Sequence, residues 1–229
     1  MAGLPAFSQT AKEKKNKEIL NRSGDHFMVQ LSSDHWIGAP DSVSSHIKGF
    51  ARGLNVYVMY DMKFKANPRF SIAGGLGVGT SNIYFKKMNV GISSTNPKIP
   101  FTATDSVNNY KKYKLNTAFL EVPIEFRFSS KPETPGKSIK VAVGVKLGTM
   151  LGAHTKGKIL RTASGTVLSN ATDKVSSKSY FNTTRVALTG RIGYGNFTLF
   201  GAYNLTSMYK AGVAADVKLL QVGLTISGL

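Results

Sequence analysis

The 229-residue sequence predicts an all-β fold, an eight-stranded antiparallel up-and-down transmembrane β-barrel. Three observations carry that expectation. From about residue 26 onward apolar residues recur with a period of two, which places them on one face of extended strands. Most segments that keep this period run roughly 10 to 16 residues, against the 5 or 6 usual in globular sheets. The connections alternate as well: tight at 65–68, 129–137 and Gly195, long at 35–52, 85–112 and 152–180. Short turns at one rim and long loops at the other are what a chain threading up and down through a bilayer requires.

The first segment, 26–33, sets Phe27, Val29 and Leu31 on one face, and the second, 53–64, aligns Leu54, Val56, Val58, Tyr60 and Met62 against Asn55, Tyr57 and Asp61. In the third, 69–84, Phe70, Ile72, Leu76 and Val78 oppose Ser71, Ala73, Gly75 and Gly77. The fourth, 113–128, is the clearest: Ala118, Leu120, Val122, Ile124, Phe126 and Phe128 face away from Thr117, Glu121, Glu125 and Arg127. The fifth, 138–151, places Ile139, Val141, Val143, Val145 and Leu147 against Lys140, Gly144 and Lys146. The sixth, 181–194, sets Val186, Leu188 and Ile192 against Arg185, Thr189 and Arg191. The seventh, 196–205, carries Phe197, Leu199, Tyr203 and Leu205, and the eighth, 217–226, carries Leu220, Val222, Leu224 and Ile226 against Gln221 and Thr225.

Periodicity alone leaves the orientation open. A soluble lipocalin-like barrel would turn the apolar face inward around an apolar ligand and the charged face to water. Strand length, alternating connections and aromatics near strand ends favour the inverse, with oily side chains toward lipid. Trp36, Tyr60, Tyr84, Phe85, Tyr113, Phe128, Tyr194 and Tyr209 would then form two interfacial girdles. An eight-stranded lumen is just wide enough for side chains to fill. Asp61, Glu121, Glu125, Arg127, Lys146, Arg185 and Arg191 are therefore expected inside as a charge network that plugs it, with Glu121 and Glu125 meeting Lys146 or Arg127 and the two arginines nearby. Glycines 75, 77, 144 and 148 would make room for the long side chains.

Composition agrees with this reading. No stretch approaches the roughly 18 apolar residues of a membrane helix, and with no cysteine there is neither a disulfide framework nor a thiolate metal site. The net charge of +18 would ordinarily point to nucleic acid. Here the lysines are scattered through loops and strand ends, and no nucleic-acid partner is expected. Although Tyr84, Phe85, Tyr110 and Tyr113 interleave with lysines, the phosphates of outer-membrane lipids and lipopolysaccharide account for Lys86, Lys87, Lys111, Lys112, Lys156 and Lys158 more simply. At the N-terminus, residues 1–8 read as the tail of a signal peptide cut before Gln9, with Ala6-Phe7-Ser8 as the small-residue site. Residues 9–24 read as a charged periplasmic tail and 25–229 as the barrel domain.

Three stretches carry a family resemblance: Gly74-Gly-Leu-Gly-Val-Gly-Thr-Ser81, Phe119-Leu-Glu-Val-Pro-Ile-Glu-Phe-Arg-Phe128 and Val143-Gly-Val-Lys-Leu-Gly148. The chain resembles the PorT-like outer-membrane β-barrel family of Bacteroidetes, whose members carry a comparable Leu-Glu-Ile-Pro strand followed by a glycine-rich one. It departs from many outer-membrane barrels in ending Thr225-Ile-Ser-Gly-Leu229 without a terminal aromatic. The resemblance implies location and architecture, with functions from secretion-system components to envelope proteins of other kinds.

Catalytic chemistry is not expected. A barrel lipid hydrolase needs a serine, a histidine and an acid within hydrogen-bond reach; of His26, His35, His46 and His154, His26 shares a strand face with Ser32 at a spacing too long for direct contact, and Asp34-His35 is expected at a rim. Acids are too scarce for a metal site, and no cofactor is expected. The glycines at 74–79 lack the following helix that a phosphate loop requires. The sequence reads as a non-enzymatic, integral outer-membrane barrel with an envelope structural or interaction role, as part of a secretion assembly or as a narrow pore.

Overall fold

The computed structural model describes residues 27–228; the signal-peptide tail, the periplasmic tail and His26 lie outside the described residues. The strands are β1 (Phe27–Ile37), β2 (Arg52–Lys63), β3 (Phe70–Phe85), β4 (Met88–Val90), β5 (Phe101–Ala103), β6 (Asn109–Ser129), β7 (Ile139–Arg161), β8 (Val167–Ser176), β9 (Thr184–Tyr194), β10 (Phe197–Asn204) and β11 (Lys218–Ser227). Eight of them, β1, β2, β3, β6, β7, β9, β10 and β11, pair antiparallel in that order. β11 then pairs with β1 from Met28↔Ser227 to Ile37↔Lys218 and closes the barrel. Every barrel edge is thereby satisfied, which a sheet crossing hydrocarbon demands. β4 and β5 form a separate ribbon within the 86–108 connection, and β8 pairs with the far end of β7.

The orientation is settled by burial. Val122, Ile124 and Val143 are 40%, 42% and 58% exposed, whereas Glu121, Glu125 and Lys146 are 0%, 4% and 3% exposed. Leu54, Val58, Leu76, Leu147, Leu199 and Leu224 continue the same outward belt around the wall. A soluble barrel with an apolar ligand chamber would need the reverse.

Two strands are longer than the sequence period indicates. β6 begins at Asn109 and β7 runs to Arg161, so much of the expected 152–180 loop is strand. The reason is a β-bulge: Ala118 faces Gly152 and Phe119 faces Met150, which leaves Leu151 without an opposite number. The inward side of β7 switches from Ala142, Lys146 and Met150 to Ala153, Thr155 and Gly157. A one-residue slip inverts the alternation, so the period-two pattern stops at 151 although the strand does not. At the same end, β1 extends through Asp34 to Ile37, and Phe181 precedes β9, joined to Tyr209 by an isolated bridge.

The aromatics correct a second expectation. Tyr60, Tyr84 and Tyr194 lie on the outer wall, but Trp36, Phe85, Tyr113 and Tyr209 point inward. Trp36 packs edge-on against Phe85 at 5.6 Å and Tyr209 at 6.0 Å between ring centroids. With Met88, Val90, Ile92, Ile99, Phe181 and Leu219 they form an apolar core filling the long-loop end of the barrel. At the short-turn end the aromatics do stand on the wall, where Phe70 contacts Phe126 and Phe128 at 5.7 and 5.3 Å.

Candidate functional site

Below the apolar core the interior is polar, and its geometry follows from strand register. Glu121 on β6 lies opposite Gly77 of β3 and Gly148 of β7; Gly77 in turn lies opposite Tyr57 of β2, and Gly148 opposite Arg185 of β9. One row across five strands therefore reads Tyr57, Gly77, Glu121, Gly148, Arg185. The flanking glycines present no side chain, so the tyrosine and the arginine reach the central carboxylate from either side. Tyr57 donates its hydroxyl to Glu121 Oε2 at 2.5 Å, Arg185 Nη2 donates to Oε1, and Lys146 Nζ lies 3.8 Å from Oε2. Arg185 also lies over the Phe119 ring, 4.1 Å from its centroid.

Of the four glycines expected to make room, Gly148 does so for Glu121, whose Cγ would sit 3.3 Å from an added Cβ, while Gly77 accommodates Tyr57 and Gly75 accommodates Met59. An added Cβ on Gly144 would instead run into the backbone of Ile124 and Glu125. Gly79 is a further position of the same kind, where a Cβ would run into the Glu121 carboxylate.

One turn of the ladder toward the short-turn end, Glu125 Oε2 accepts from Arg191 Nη2 at 2.9 Å and from Arg127 Nε at 2.8 Å. Arg127 Nη1 also lies 3.8 Å from Asp61 Oδ1. All seven lumen charges read from the sequence thus meet inside the barrel. An eighth, Asp34, expected from the sequence at a rim, is instead buried, accepting from Ser32 Oγ at 2.5 Å and Gln221 Nε2 at 3.1 Å. Its signal was present: Met28, Gln30, Ser32 and Asp34 share one parity, opposite Phe27, Val29 and Leu31. Asp34 meets only neutral donors, whereas Asp61, Glu121 and Glu125 each meet at least one of Arg127, Lys146, Arg185 and Arg191. Paired charge is the form in which ionised groups tolerate removal from water. The excess positive charge of the chain consequently sits elsewhere.

Much of that excess is at the long-loop end. Lys87 Nζ pairs with Asp105 at 3.4 Å, and Asp105 also meets His46 Nε2 at 3.5 Å. The hydrogen bond from His46, followed by that from Lys87, holds this exposed carboxyl below its usual range. Lys86 and Lys111 are exposed, whereas Lys112, Lys156 and Lys158 gather on the outer wall beside Lys114.

The described histidines form no charge relay. Ser45 Oγ lies 3.2 Å from His46 Nδ1, but that nitrogen also lies 3.0 Å from the Ser42 carbonyl. A carbonyl only accepts, so Nδ1 carries a proton in this contact and has no lone pair to activate Ser45. His35 Nε2 meets Ser33 Oγ at 3.1 Å on the outer wall, with no acid paired to His35 among the described residues. No cluster of three metal-ligating side chains occurs among the described residues.

The family model described as "Outer membrane protein beta-barrel domain" matches residues 7–209. No curated protein matches the chain. Among solved structures, the attachment invasion locus protein Ail of Yersinia pestis is 12% identical, with 90% of this chain and 97% of that one covered and a TM-score of 0.40. A second Ail structure, in complex with the heparin analogue sucrose octasulfate, aligns at 13% identity over 90% and 97% of the chains with a TM-score of 0.38. Neisserial surface protein A aligns at 12% identity over 90% and 100% of the chains, also with a TM-score of 0.38.

Proposed function

Because the chain belongs to the outer membrane protein β-barrel domain family and is integral to the outer membrane, we propose that it is a sealed, non-enzymatic barrel with a structural or interaction role in the envelope, whose lumen is plugged by its own paired charges. The observation that carries this reading is the set of ion pairs that joins Asp61, Glu121 and Glu125 to Arg127, Lys146, Arg185 and Arg191 across the lumen. Such a network crosslinks β2, β6, β7 and β9 from within and occupies the path an ion would take. The apolar core above it is a second barrier, since a dry constriction without polar lining resists wetting. Outside, Lys86, Lys87, Lys111, Lys112, Lys156 and Lys158 meet anionic groups of the outer leaflet, lipopolysaccharide among them. The PorT-like resemblance of the 119–128 strand extends the reading to a scaffold within a secretion assembly, with the long-loop end or the short-turn rim as the contact surface for other envelope proteins.

Reconstitution into planar bilayers is the direct test. The protein is expected to add no conductance steps above baseline. Discrete channel openings from purified, folded protein would overturn the plugged lumen and turn the reading toward a narrow pore.

A further inference from the structure

Above the belt, the extensions of β6 and β7 bring lysines into register. Lys112 lies opposite Lys158, and Lys114 opposite Lys156. The second row continues to Tyr84 of β3 on one side and Lys174 of β8 on the other. Directly opposed residues share a face, so five lysines stand on one surface over two rungs, and no carboxylate occurs in either row. Like charges placed directly opposite destabilise a sheet, and two consecutive pairs are not what strand pairing alone favours. The arrangement is also held in place: Lys114 Nζ donates to Asn82 Oδ1 at 2.6 Å, and Asn116 Nδ2 donates to the same oxygen at 3.0 Å.

The face they share is the outer wall. Descending from the lysines on that wall, the next rows are Asn82, Asn116 and His154, then Thr80, Ala118 and Gly152, and below these the belt begins at Val78, Leu120 and Leu151. The lysines therefore look sideways, two polar rows above the acyl chains, at the height where lipid phosphates lie, rather than upward from loop tips. Their methylene stems suit an interface where the stem is apolar and the head is wet. An open groove of about 240 Å³ lies among Tyr84, Lys112, Lys114, Lys156 and Lys158, several times the ~30 Å³ occupied by a water molecule.

We propose that Lys112, Lys114, Lys156, Lys158 and Lys174 form a binding site for the phosphates of an outer-leaflet lipid headgroup, the two rungs matching a lipid that bears two phosphates. This inference rests on the reading that the rim cations meet the outer leaflet, and it narrows that contact to one lateral patch. His154 stands one row below Lys156 on the same wall, so a phosphate bound among the lysines acts on its imidazole directly.

The test uses the full chain folded in neutral-detergent micelles, with fluorescent diphosphoryl lipid A as the probe and phosphatidylcholine and inorganic phosphate as competitors. K114Q/K156Q/K158Q is expected to weaken lipid A binding by at least about tenfold, since each basic residue near a phosphate surface contributes about fivefold. K48Q/K98Q/K210Q, the same charge change at exposed lysines of the long loops, is expected to leave binding within about twofold. In the wild type, the His154 titration followed by NMR is expected to move up on adding lipid A, a readout that does not require the variants to fold. Equal weakening by both triple variants would overturn the patch and leave the broader rim contact standing. No weakening by either, with no movement of His154, would overturn both. Displacement of lipid A by inorganic phosphate at matched phosphate concentration would assign the site to soluble anions and overturn the lipid source.

Discussion

Glu121→Ala is expected to destabilise the barrel by about 3–5 kcal/mol, the cost of removing one partner from a buried ion pair. The carboxylate is the hub on which Tyr57, Lys146 and Arg185 converge, and it is fully buried. Without it two cations stand near each other inside the wall with no acceptor between them. Glu121→Gln retains the shape and one acceptor oxygen but not the charge, and belongs between alanine and the wild type. The measurement is urea unfolding in lipid vesicles followed by fluorescence of Trp36, the only tryptophan, which is packed in the apolar core against Phe85 and Tyr209. Adding Arg185→Ala to Glu121→Ala should recover part of the loss, because the second change removes the stranded charge. A Glu121→Ala protein within about 1 kcal/mol of wild type would mean that the network carries no weight in the fold, and the plugged-lumen reading would lose its main support.

The second large effect concerns the outside. Val143 and Val167 are similarly exposed, at 58% and 53%, yet Val143 lies in the belt on β7 while Val167 lies on β8 beyond it. Val143→Arg should cost about 2–4 kcal/mol in a bilayer, the range for a cation on the lipid face of a barrel. Val167→Arg should stay within about 0.5 kcal/mol, as for a surface position in water. The same urea titration reads both. Equal costs at the two sites would mean that the belt does not meet acyl chains.

The orientation of nearly every strand was legible in the sequence because side-chain direction in a strand depends only on parity. Glu121, Glu125 and Arg127 could be placed on one face from the residues between them, and Lys146, Arg185 and Arg191 likewise from theirs. Asp34 shares the inward parity of Gln30 and Ser32 but lies one residue past the 26–33 segment that the period marks. The aromatic assignments failed for a different reason. Trp36, Phe85 and Tyr113 sit at strand ends as interfacial anchors do, but their parity is inward and the long loops bring Met88, Ile92 and Phe181 to cover them. Loops have no period, so no pattern in 86–108 or 162–183 announces that those residues fold back into the barrel.

Alternation, strand length and the charges on the second face were enough to determine a closed antiparallel barrel with an apolar exterior and an ionic interior, since these properties are local to each strand. Which carboxylate meets which cation, that Gly79 and Gly148 rather than Gly75 make room for Glu121, and that five lysines from three strands share one wall were decided only in three dimensions. Register sets each of them. Register depends on the bulge at Leu151 and on closure of β11 against β1, which couple residues far apart in the chain through hydrogen bonds that no single strand encodes.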